Sequence, residues 1–126
     1  MIYPNLASLI LRLSVGSMML THGWGKFNKL ISGDLSFADP IGVGEAPTLI
    51  LAVLAEFISP ILLIVGYKTR LATVLPALTM LVAAFVIHAD DPWGRQEFPL
   101  LYFFGFATIY LLGSGKYSLD WQLKKV

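Results

Sequence analysis

The chain has 126 residues, of which 56% are hydrophobic and 13% charged, with a formal net charge of +1. A charged fraction this far below the soluble norm of about 25% points to a polytopic membrane protein of one domain. The small net charge, with no basic cluster, gives no basis for nucleic-acid binding, and the absence of cysteine excludes disulfides, thiol chemistry and thiolate-held iron–sulfur clusters in this chain.

Four spans are expected, giving an all-α, integral-membrane four-helix transmembrane bundle as a single domain over residues 1–126. The first, about 6–27, matches the ~20 residues a helix needs to cross a bilayer. It reads as a retained span and not a cleaved signal, since no basic n-region precedes it, Arg12 interrupts it and no A-x-A-like site follows. At about 100° per residue, Arg12, Gly16, Met19, His22, Gly23 and Lys26 share one sector, so this helix is expected to line a bundle interior. The second span, about 48–67, begins after Pro47 and ends at Gly66-Tyr67-Lys68, and the third covers about 71–88. The fourth, about 99–113, opens on Pro99, whose missing N–H suits a first helical turn, and closes at Gly113. Pro60 and Pro76 fall inside the second and third spans and are expected to kink them.

The first loop, about 28–47, is long and rich in Gly, Pro and acidic residues, whereas Lys68-Thr-Arg70 is a tight hairpin and 89–98 a short polar turn. The N-terminus, the second loop and the C-tail hold Lys68, Arg70, Lys116, Lys124 and Lys125, against Lys26, Lys29 and Arg95 on the opposite side. That bias places both termini in the cytoplasm. Residues 118–126 form a short interfacial segment, with Ser118 as its cap and Leu119 and Trp121 dipping into the lipid interface.

With this topology His22, Lys26, Glu56, His88, Glu97 and Tyr102 gather at the end opposite the termini, and Arg12 lies deeper with a side chain long enough to reach toward Glu56. Each has a plain alternative. Arg12 and Glu56 can be a structural ion pair, Lys26 can snorkel to head groups, His88 can be interfacial, and Asp90 and Asp91 a solvated loop. A bis-histidine haem through His22 and His88, or a metal held by His22, Glu56, His88 and Glu97, has suitable residue types but no local motif. A quinone-sized ligand fits better, with Trp24, Phe27, Trp93, Tyr102 and Phe103 as apolar walls. A proton or transport path through Glu56 is a further reading, though four short helices leave little room for alternating access.

The order of Arg12, His22-Gly23-Trp24-Gly25-Lys26, Gly42-Val-Gly44, Glu56, Lys68-Thr-Arg70, His88, Glu97 and Gly115-x-x-Ser118-x-Asp120 resembles the DoxX family of small four-helix bacterial membrane proteins. The resemblance implies membership of a membrane redox assembly, quinone as electron acceptor, and His22, Lys26, Glu56 and His88 near its head group. The leading expectation is therefore a small subunit of a quinone-linked oxidoreductase, not catalytic alone, working with partner subunits or as a homo-oligomer. The alternative is a non-enzymatic scaffold or lipid-binding bundle whose polar network is structural.

Overall fold

The computed structural model describes residues 3–124, so Lys125 and the end of the C-terminal segment lie outside the described residues. Four long helices follow one another with alternating direction: α1 (Pro4–Ile31), α2 (Glu45–Val65), α3 (Thr69–Ile87) and α4 (Trp93–Leu112). A short α5 (Leu119–Lys124) closes the described chain. Helices α1, α2 and α3 are each long and apolar enough to cross a membrane. Helix α4 matches them in length but begins with the polar turn containing Arg95, Gln96 and Glu97.

The polar and small stripe of α1 faces inward, where Ser8, Arg12, Val15, Gly16, Met19 and Gly23 are buried. Around it, Val15, Met19, Leu63, Ala72, Met80, Phe106 and Ile109 form the core. Leu13, Ile61, Leu71, Phe104 and Leu111 point outward and are the surface that lipid covers. Because lipid tails are as apolar as these side chains, burial does little to draw such helices together, and close backbone packing carries more weight. Two glycines supply it. A Cβ on Gly16 would lie 2.9 Å from Ile64 and 3.2 Å from the Pro60 carbonyl, and one on Gly23 would lie 2.0 Å from the Glu56 carbonyl oxygen.

Several boundaries differ from the sequence expectation. Helix α2 starts at Glu45, with Pro47 inside its first turn, where no N–H partner is needed. Helix α4 starts at Trp93 and holds Pro99 in its interior, because Pro92 already sets the helix start and its carbonyl accepts the Arg95 N–H at 2.9 Å. The irregularities of α2 and α3 are π-helical turns at Leu54–Ile58 and Ala83–Ile87. The first directly precedes Pro60, which has no N–H to offer the Glu56 carbonyl four residues back. The second ends α3, well beyond Pro76.

The end carrying the termini is locked by the C-terminal segment. Arg12, fully buried, donates to the carbonyls of Leu63 at 2.9 Å, Ile64 at 3.3 Å and Tyr117 at 2.5 Å. Ser8 donates to the Gly113 carbonyl at 2.7 Å, and the Lys116 N–H donates to Asn5. Ser118 caps α5 as expected, its hydroxyl accepting the Trp121 N–H at 3.2 Å. The segment does more than rest on the lipid interface. The Asp120 carboxylate accepts the N–H groups of Lys68 at 2.8 Å and Thr69 at 3.0 Å and the Thr69 hydroxyl at 2.8 Å, capping α3 from across the fold, while its own N–H donates to the Gly66 carbonyl.

This latch is acid-sensitive. Burial raises the Asp120 pKa, but the hydrogen bonds from Thr69 and Lys68 outweigh it and hold the carboxylate below its ordinary 3.8. A depressed folded pKa gives stability that is complete above the unfolded value and is lost as pH falls through the folded one. Asp120→Ala should therefore cost about 1 kcal/mol at neutral pH, in the range of a lost helix cap. It should also flatten the fall in stability below pH 3.8, read by thermal unfolding in detergent across that range.

Candidate functional site at the loop end of the bundle

At the opposite end, the close approach at Gly23 sets Glu56 beside α1. Glu56 sits in the π-turn of α2 and is 5% exposed. Lys26, one turn beyond Gly23, donates to its Oε2 at 2.5 Å. The pair sits where α1 and α2 touch backbone to backbone, so neither side chain needs to extend far to meet the other.

This pairing corrects the expected one. Arg12 does not reach Glu56. In antiparallel α1 and α2, Gly23 opposes Glu56 and Arg12 opposes Leu63, which leaves Arg12 about 21 Å along α1 from Lys26 at 1.5 Å per residue. Arg12 belongs to the latch.

A cavity of about 500 Å³ opens on the Lys26–Glu56 pair. His22 and Met19 of α1, Met80, Ala83 and Ile87 of α3, His88, and Gly94, Arg95, Phe98, Pro99 and Tyr102 of α4 complete its walls. The His22 ring packs edge-on against Tyr102, centroids 5.7 Å apart, and against Phe98 at 6.1 Å. Nδ1 of His88 lies 2.6 Å from the Asp91 carboxylate, and the Gln96 side-chain amide donates to the carbonyls of His88 and Ala89. Asp91 is thus a partner of His88 and not a solvated loop residue, and it holds the Nδ1 edge of that imidazole in place.

Of the expected site residues, His22, Lys26, Glu56, His88 and Tyr102 come together. Glu97, Trp24 and Arg12 do not. Glu97 is exposed and lines no part of the cavity, being turned about 140° around α4 from Tyr102. Trp24 lies about 200° around α1 from His22 and packs outside against Phe27 and Phe57, rings that stack with centroids 4.1 Å apart. Trp93 is likewise exposed, and Phe103 packs on the core. Of the expected aromatic walls Tyr102 lines the cavity, and Phe98, Met19 and Met80 take the place of the others. Arg95, absent from the sequence-derived site, shares a face with Phe98 and Tyr102. Among the described residues no three His, Asp or Glu side chains gather as a metal-ligand set.

The family model for DoxX matches residues 7–89, which contain the Gly23 contact, the ion pair and both histidines. The chain belongs to the DoxX family. Among curated proteins it is 30% identical over 117 residues to "Putative oxidoreductase CatD" of Bacillus subtilis, covering 92% of this chain and 86% of that protein. It is 27% identical over 121 residues to "Inner membrane protein YqjF" of Escherichia coli, covering 93% and 92%. No solved structure matches the chain significantly. The DoxX match ends just past His88, so the α4 face of the cavity and Asp120 lie beyond it.

Proposed function

We propose that this DoxX protein is the quinone-interacting subunit of a membrane redox assembly, with the quinone head group held in the cavity beside Lys26 and Glu56. The observation that carries this reading is a buried carboxylate paired with a half-buried ammonium, opening on a cavity also lined by two histidines and a tyrosine. Its volume falls within the ~300–1,000 Å³ usual for small-ligand sites. A quinone carbonyl needs donors, which Lys26, Tyr102 and a histidine ring supply. Reduction of the quinone adds two electrons and two protons to its carbonyl oxygens. The electrons come from a redox group on a partner protein, and Glu56, His22 and His88 are the groups through which the protons pass. The name of the Bacillus relative supports a redox role.

The protein sits in the cytoplasmic membrane with both termini inside, on the balance of Lys68, Arg70, Lys116 and Lys124 against Lys26, Lys29 and Arg95. Glu56→Gln and His22→Ala are expected to lower partner-dependent quinone reduction by about tenfold or more, the scale of a lost proton-transfer group. Amounts of folded protein should be unchanged, as measured by size exclusion in detergent. Wild-type turnover in both variants would refute the assignment.

A further inference from the structure

A second cavity, of about 320 Å³, lies between α2 and α3 beneath the loop segment Phe37–Ile41. Its walls, including Leu51, Ala52, Leu75, Leu78 and Val82, are almost wholly apolar. The two threonines on it turn their hydroxyls away, Thr48 to the Gly44 carbonyl and Thr79 to that of Leu75, so neither offers a donor to the space. Along α3 the cavity runs from Leu75 to Ile87, roughly 18 Å at 1.5 Å per residue. It is a slot, not a bowl.

The slot and the polar cavity share Lys26, Glu56, Met80, Ala83 and Ile87. Charge is therefore present along one side of the slot only, beside Met80, Ala83 and Ile87, where it borders the cavity that holds the histidines and Tyr102. Both π-turns fall at this junction, Glu56 in one and Ala83 and Ile87 in the other, a placement common for such turns at binding sites. The outer cover is fixed as well. The Asp39 carboxylate accepts the N–H groups of Val43 and Gly44 and the Thr48 hydroxyl, tying the loop to the first turn of α2.

We propose that the slot binds the linear hydrocarbon chain of an amphiphile whose head group occupies the polar cavity. In shape and chemistry it fits a single extended chain and excludes a second polar group. The identity of the head as a quinone rests on the function proposed above. The chain site rests on the slot alone.

The test uses the full-length protein in lipid nanodiscs and two photoprobes, each with a ten-carbon chain ending in a diazirine. One carries a benzoquinone head and the other a single hydroxyl. The quinone probe is expected to label Leu75 and Val82, and Thr79→Phe, which fills the slot, should reduce this labelling at least fivefold. Ala52→Phe fills it from the opposite wall and serves if the first variant fails to fold. Because both probes partition equally into wild-type and variant nanodiscs, the difference reports the slot and not the bilayer. Labelling spread over the lipid-facing Leu13 and Leu71, or unchanged by either filled variant, would overturn the chain site. Equal slot labelling by the hydroxyl probe would keep the chain site and overturn the quinone head.

Discussion

Gly23→Ala is expected to destabilise the bundle by about 3 kcal/mol or more, the upper range for overpacking, because the rigid atom it meets cannot give way. The new Cβ would stand 2.0 Å from the Glu56 carbonyl oxygen and 2.3 Å from its carbon. Both belong to backbone, so relief requires α1 and α2 to separate. Separation would also part Lys26 from Glu56, and the same substitution should therefore weaken ligand binding in whatever fraction folds. Gly25→Ala is the matched control, since a Cβ there meets nothing within 4 Å. It should leave stability unchanged or raise it by up to ~1 kcal/mol through helix propensity. Thermal unfolding in detergent reads both, and equal behaviour of the two variants would contradict the packing described.

Arg12→Met should also cost about 3 kcal/mol or more, for a different reason. Methionine keeps the apolar stem but removes the donors that satisfy the carbonyls of Leu63, Ile64 and Tyr117. Buried acceptors left unpaired cost about 1–3 kcal/mol each when no relaxation rescues them. Arg12→Lys should recover only part of the loss, because an ammonium lacks the planar fork that spans carbonyls from two segments. The Arg12 network lies at the opposite end from the cavity, so folded Arg12→Met protein should bind ligand with wild-type affinity. A changed affinity with unchanged stability would reverse the roles assigned to the two ends.

The two networks bear on what the sequence could reveal. The inward stripe of α1 was legible because a bilayer forces polar residues onto one helix face, and Arg12, Gly16, Met19 and Gly23 lie there. The gathering of His22, Lys26, Glu56, His88 and Tyr102 was legible from depth in an up-and-down topology. Which cation meets Glu56 was not. Depth alone does not set the register of two antiparallel helices, and here the Gly23 contact sets it in favour of Lys26. The angular positions of Trp24 and Glu97 on their helices turn them away from His22 and Tyr102, a signal that depth alone does not carry. The same angles would have found Arg95. The latch of Asp120 onto Lys68 and Thr69 joins segments about fifty residues apart, and no local pattern in either segment announces it. Pro60 marks a missing N–H but not how the turn before it widens into the π-turn at Leu54–Ile58, and the π-turn at Ala83–Ile87, well beyond Pro76, has no proline to mark it.

The most direct test of the central claim is organic extraction and mass spectrometry of the wild-type protein and Glu56→Gln, each isolated with its surrounding native lipid. The cavity beside Lys26 and Glu56 predicts quinone retained near one per chain on the wild type and largely lost from the variant, with phospholipid content alike in both. Quinone absent from the wild type beyond the level carried by an unrelated membrane protein, or equally retained by Glu56→Gln, would contradict it.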